Sequence, residues 1–186
     1  MKLTKRRLTK GGSKIFNNDG TITETDETYN GNPFFKKMFY YSDPPTEKQI
    51  YTVHVETEIV NILMKNPHPN VVTYFEINPE FVKMEILDTR GIEFNDELIE
   101  IMRNVKDFLQ GLGIMYIDWK KDNIGKDQNG NYKLFDFDGS GIVNNNNTWL
   151  IEPLDFFTYR KAKENGITQP NKMDDFAFER FIKERV

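Results

Sequence analysis

Residues 113–139, GIMYIDWKKDNIGKDQNGNYKLFDFDG, restrict the fold more than any other part of the chain. An apolar stretch, Gly113-Ile114-Met115-Tyr116, runs into Asp118, and Asn123 follows in an Asp-x-x-x-x-Asn box. Asn129-Gly130-Asn131 is then a hairpin signal, because a tight turn needs residues that accept positive φ. Tyr132-Lys133-Leu134-Phe135 reads as a strand, and it ends at Asp136. Asp and Asn are ordinary loop residues, so an isolated pair at this spacing carries little weight. Weight comes from the order: helix exit, polar loop, short hairpin, then a carboxylate at the end of a strand.

This order resembles the catalytic core of the protein-kinase family, H-R-D-L-x-x-x-N followed by D-F-G. Tyr116-Ile117-Asp118-Trp119-Lys120 stands at the first motif and Asp136-Phe137-Asp138 at the second. Phosphoryl transfer needs a carboxylate near the attacking hydroxyl and oxygen ligands that hold Mg²⁺ on the nucleotide phosphates. The resemblance implies Asp118 as the base or hydroxyl-positioning group and Lys120 as the cation on the transferring phosphate. It implies Asn123 and Asp136 as the Mg²⁺ ligands. Ile117 replaces the family's arginine, which implies an activity independent of a phosphate on the following segment. Asp138 replaces glycine and reads either as an extra ion ligand or as a solvated carboxylate.

The upstream half must then supply a phosphate-binding lysine, a helix glutamate and a nucleotide cradle. Residues 32–40 read as an aromatic-rich strand, in which Lys36 best matches the family's strand lysine. Lys37 is its rival, since one step along a strand reverses the face. Pro44-Pro45-Thr46-Glu47 is a helix start, with Thr46 as a candidate cap. Ile50, Val53, Ile59, Ile62 and Leu63 give an approximate apolar stripe, and Asn66-Pro67 ends it. Glu58, followed by His68-Pro69-Asn70-Val71-Val72, resembles the family's regulatory helix and its exit. Glu58 is therefore expected to pair with Lys36, with Glu56 as the alternative. Residues 73–77 and 81–86 read as strands, the second leading to a hinge where adenine would meet Met84, Glu85 and Leu87 by analogy alone. Gly11, Gly12 and Ser13 are the nearest match to a glycine-rich loop, whereas Asp19-Gly20 reads as a hairpin turn.

Downstream, residues 96–112 form an amphipathic helix whose apolar stripe is core. Asn144 to Asn147, a run of four asparagines, reads as a mobile loop. Asp174-Asp175-Phe176-Ala177 resembles the opening of the family's central buried helix, with Asp174 tied to the catalytic-loop backbone or acting as a plain N-cap.

Composition bounds the rest. With 186 residues the chain is one domain or two small lobes sharing a cleft, and with no cysteine it has no disulfide, thiolate zinc site or cysteine nucleophile. A net charge of −4 argues against general nucleic-acid coating. Lys2, Lys5, Arg6, Arg7, Lys10 and Lys14 form a basic start, read first as a solvated strand and second as a nucleic-acid or membrane-surface arm. No apolar run approaches the roughly 18 residues of a membrane span, so a soluble, cytoplasmic protein is expected. The expected fold is α+β and bilobal, kinase-like, with an antiparallel small lobe over about residues 1–87 and a truncated helical large lobe over about 88–186. The implied activity is ATP- and Mg²⁺-dependent phosphorylation of Ser/Thr hydroxyls. A binding scaffold without catalysis and a small-molecule kinase are the alternatives.

Overall fold

In the computed structural model, residues 12–17, 19–39 and 42–183 are described. Gly11 and the basic start other than Lys14 lie outside them. The architecture is α+β, with four helices and three sheets among the described residues. Strands β1 (Ser13–Phe16), β2 (Ile22–Thr25), β3 (Phe35–Met38), β4 (Tyr74–Ile77) and β5 (Phe81–Met84) make one sheet in the order β2-β1-β3-β5-β4. It is mixed and not wholly antiparallel, because β1 pairs parallel with β3 in the register Phe16↔Lys37. The physical reason lies in the link after β2. It carries the chain back across β1, through a Tyr29–Asn32 bridge turned by Asn30 and Gly31 at φ 49° and 79°, so β3 arrives running the same way as β1.

Helix α1 (Glu47–Lys65) starts as expected. Thr46 and Gln49 form a reciprocal capping box, with Thr46 Oγ1 accepting from Gln49 N at 3.3 Å and Gln49 Oε1 from Thr46 N at 2.8 Å. Its buried face is Val53, Val55, Glu56, Ile59, Val60 and Leu63. Ile50, assigned to that stripe from the sequence, is 53% exposed. Helix α2 (Asp96–Gly111) is capped by the Asn95 side chain, which accepts from Leu98 N at 2.9 Å, and it buries Leu98, Met102, Val105 and Leu109.

Beyond α2 the chain makes β6 (Ile114–Met115) and a loop ending in a 3₁₀ turn at Lys121–Asn123. A hairpin follows, β7 (Ile124–Lys126) and β8 (Tyr132–Leu134), turned by Gly130 at φ 85°. Strands β9 (Gly141–Val143) and β10 (Trp149–Ile151) add to β6 in the order β10-β9-β6. The asparagine run is the turn of that hairpin and not a loose loop. Asn144 N donates to Thr148 O at 3.0 Å, and Asn147 is pinned to Asn171 at 2.7 Å. Helices α3 (Phe157–Glu164) and α4 (Pro170–Lys183) close the chain. Asp174 lies inside α4 and is not its cap. No helix among the described residues is long and apolar enough to cross a membrane.

Candidate functional site

Two elements from the first half and one loop from the second meet at a single ammonium group. Lys37 Nζ lies 3.2 Å from Glu56 Oε2 on α1 and 3.0 Å from Asp136 Oδ1, 99 residues further along the chain. The lysine is Lys37 and not Lys36, and the glutamate is Glu56 and not Glu58. Side chains alternate across a strand, so Lys37 and Lys36 must face opposite ways. Lys36 instead lies 3.9 Å over the Phe81 ring. On α1, Glu56 falls three residues after Val53 and three before Ile59, on the buried stripe. Glu58 is exposed.

Glu56 is only 1% exposed. Burial pushes its carboxyl up to about 7, against the pull of Lys37 and with added repulsion from Asp136 and Asp138. Burial alone would lower Lys37, but attraction to Glu56, Asp136 and Asp138 outweighs it and raises the ammonium above its ordinary value. Asp138 is raised by burial and by repulsion from Asp136 and Asp118. The residue is half-buried, near enough to both neighbours for their charge to act on it.

The Asp118 loop is built around Tyr116 and Asn123. Tyr116 is fully buried, and its hydroxyl donates to the carbonyls of Phe135 at 2.7 Å and Asp136 at 3.1 Å. Asn123 Nδ2 donates to that hydroxyl at 2.9 Å, and to the Asp118 carbonyl and Oδ2, both at 3.1 Å. Those bonds engage the amide nitrogen and leave Oδ1 as the atom of Asn123 that can ligate a cation. Lys120 Nζ pairs with Asp118 Oδ2. Asp136 sits at φ 63°, a left-handed conformation that Asp and Asn enter more readily than other non-glycine residues. The Tyr116 hydroxyl, bonded to its carbonyl, holds it there.

Packing joins these parts. Phe137 is fully buried, edge-on to Tyr116 at 5.1 Å and to Tyr74 at 6.3 Å between ring centres. The Tyr74 hydroxyl and Ser140 Oγ are buried without hydrogen-bond partners among the described residues. Trp119 turns the other way. Its indole Nε1 donates to Asp174 at 2.7 Å, and Gln110 Nε2 donates to the same carboxylate at 2.9 Å. Asp174 thus holds the loop through the Trp119 side chain and not through the loop backbone, as the sequence had suggested.

The expected nucleotide cradle is arranged differently. Ser13 is fully buried, donating Oγ to the Glu27 carbonyl and accepting from Phe34 N at 2.9 Å, so both its capacities serve the sheet. At Gly12 a Cβ would collide with the Thr25 carbonyl, so that glycine permits strand contact and not ligand approach. The turn joining β1 and β2 is closed by Asn17 N to Thr21 O at 2.9 Å, with Gly20 at φ 80°. The Phe16↔Lys37 register brings this turn one step beyond Lys37. At the expected hinge, Met84 is buried in β5 and Glu85 N donates to Thr73 O at 2.9 Å. Asp88 exchanges both backbone bonds with Lys126, at 2.8 and 2.9 Å. Backbone recognition of a ligand would therefore fall to Ile86 and Leu87. The Glu85 side chain is spent on Lys133 at 2.7 Å.

Four carboxylates, Glu56, Asp118, Asp136 and Asp138, thus face two ammonium groups, Lys37 and Lys120. That negative surplus and the free Asn123 oxygen suit a hard divalent cation. Among the described residues no three His, Cys, Asp or Glu converge as a ready metal cage. No protein-family model matches the chain, and no curated protein matches it either.

Proposed function

We propose that the chain is a kinase-like phosphotransferase, its β1–β5 sheet and α1 forming one lobe and the remainder a short second lobe. The observation that carries this reading is the Lys37 ammonium shared between Glu56 and Asp136, beside a loop in which Asn123 grips Asp118. Lys37 would leave Asp136 for nucleotide phosphates while Glu56 keeps it oriented. Asp136 and Asn123 Oδ1 would hold Mg²⁺. Two protein ligands would suffice, because Mg²⁺ keeps water and takes phosphate oxygens as its other ligands. Asp118 would position and deprotonate the acceptor hydroxyl, and Lys120 would balance charge on the transferring group. With Gly12 and Ser13 committed to the sheet, the turn closed by Asn17 and Thr21 would be the nearer cover for the phosphates. Lys120 favours a serine or threonine hydroxyl over a tyrosine hydroxyl as acceptor, with a protein as the first substrate to test.

Thermal-shift titration with ATP, with and without Mg²⁺, tests the binding half, and transfer of labelled γ-phosphate to a mixed protein extract tests the chemistry. A Mg²⁺-dependent shift that Asp136→Asn removes supports the reading. Asn tolerates φ 63° and so separates ion binding from backbone strain. Wild-type protein with no shift for any nucleotide overturns it.

A further inference from the structure

The segment following β9 is fastened to α1 by a neutral hydrogen bond. Tyr51 Oη donates to the backbone carbonyl of Glu152 at 2.7 Å, across 101 residues of sequence. The Glu152 carboxylate accepts from Tyr159 Oη and lies 3.5 Å from Lys163 Nζ, which fixes the segment to α3 as well. The same segment packs directly on the loop that carries Asp136. At Gly141 a Cβ would come within 2.6 Å of the Trp149 ring, 2.7 Å of Pro153 and 2.8 Å of the Ile151 carbonyl. At Gly139 it would meet Asp118 Cβ at 2.9 Å and the Phe156 ring at 3.4 Å. Lys48, on the first turn of α1, lies 5.9 Å over that Phe156 ring.

We propose that Tyr51 is a positioning residue, whose hydroxyl latches residues 149–156 to α1 and so holds Glu56, and through it Lys37, in register with Asp136. Tyr51 and Glu56 share one helix. A rotation or outward shift of α1 that parted Lys37 from Glu56 would also break the bond to Glu152. The latch needs no added charge. Ile117, fully buried next to Asp118, offers no cation to a phosphate, and a phenol donating to a carbonyl works without one. Burial and the nearby Glu152 charge keep the phenol protonated, since both raise it above its ordinary value. The kinetic arm of this inference rests on the phosphotransferase reading; the structural arm does not.

Tyr51→Phe removes the hydroxyl and keeps the ring. Amide hydrogen exchange in residues 149–156 and 139–143 is expected to rise about three- to tenfold, the effect of one neutral hydrogen bond on a local opening, with β4 and β5 unchanged. For the proposed reaction, KM for Mg·ATP should rise by a similar factor while kcat stays within about twofold, because saturating nucleotide repopulates the closed arrangement. Unchanged exchange in those segments overturns the latch. A rise spread evenly over every element does so too, since it marks general loosening. A fall in kcat with KM unmoved overturns the positioning role. If the wild type binds no nucleotide, the phosphotransferase reading falls, and the exchange result alone decides whether the latch exists.

Discussion

Trp119 and Asp174 are joined by an indole-to-carboxylate hydrogen bond of 2.7 Å that spans 55 residues and is wholly buried. It ties the loop between Asp118 and Asn123 to the interior of α4, within an aromatic cluster where Trp119 meets Phe178 edge-on at 4.9 Å. The loop that presents Asp118 is therefore supported from below by one carboxylate.

That carboxylate has a measurable pH signature. Burial pushes Asp174 up to about 7 from an ordinary 3.8, despite the bonds from Trp119 and Gln110, and Glu56 moves from 4.5 to about 7 for the same reason. In both cases the folded state binds protons more tightly than the unfolded chain. Stability from these groups is highest below pH 4 and declines as pH rises through the window from about 4 to 7. Asp174→Asn keeps an acceptor for Trp119, and Gln110 can turn its amide to match, so this variant should flatten part of that decline. Asp174→Ala orphans one buried donor, Trp119 Nε1, and one half-buried donor, Gln110 Nε2, and should cost about 1–3 kcal/mol. Urea midpoints from pH 4 to 8 for the three proteins check both statements.

Lys37 and Lys36 should separate cleanly. Lys37→Met should abolish transfer, and because it removes the cation that pulls the Glu56 carboxyl down, Glu56 should stay protonated at neutral pH in the variant. The stability cost should therefore be small below pH 7 and grow by up to about 1.4 kcal/mol per pH unit above it, where only the wild type ionises Glu56. Adding Glu56→Gln should recover most of the stability and none of the activity. Lys36→Ala removes only a contact with Phe81, worth about 0.5–1 kcal/mol, and should leave transfer intact. Equal loss of turnover in Lys36→Ala and Lys37→Met would show that the ion pair is not the functional one.

The contrast between these neighbours marks how far the sequence could be read. The positions of Asp118, Asn123 and Asp136 on loops, the capping box at Thr46 and the hairpin at Gly130 were all legible, because each depends on local turn or capping chemistry. The lysine was not, since adjacent strand residues differ only in which face they present, and that is set by the sheet's packing. Glu56 was within reach, as it lies on the same stripe as Val53, Val60 and Leu63. The errors at Ser13 and Gly12 have a different source. A Gly-Gly-Ser run signals close backbone approach without saying to what, and here the neighbour is β2. Tyr116 reads in the sequence as the end of an apolar stretch, yet its hydroxyl accepts from Asn123 and donates to the Asp136 carbonyl, a role that depends on two segments meeting in space.

Asp118→Asn should lower turnover by at least about 10²-fold, in line with loss of a general base, while nucleotide affinity hardly changes. Asp118 touches Lys120 and Asn123 and does not touch Lys37, so the Lys37–Glu56 pair stays assembled. Single-turnover rates beside equilibrium titration of Mg·ATP separate the two effects. Full turnover in Asp118→Asn would remove Asp118 from the chemistry.

Phosphorylation between Ser140 and Tyr159 should leave activity unchanged. A phosphate orders a segment only through a favourable interaction that the unphosphorylated state lacks. Ser140 is fully buried, and Tyr159 is 3% exposed with its hydroxyl already bonded to Glu152, so neither presents a free acceptor. Thr148 and Thr158 remain accessible, but Ile117 supplies no positive charge and Lys120 is engaged with Asp118. Glu152 already provides a fixed carboxylate between Tyr159 and Lys163. Phosphatase-treated and untreated protein should therefore transfer phosphate equally well. Joint alanine substitution of Thr148 and Thr158 should alter turnover by less than about tenfold, roughly 1.4 kcal/mol of barrier. Activity lost on dephosphorylation and regained on rephosphorylation would show that another basic residue reads the phosphate.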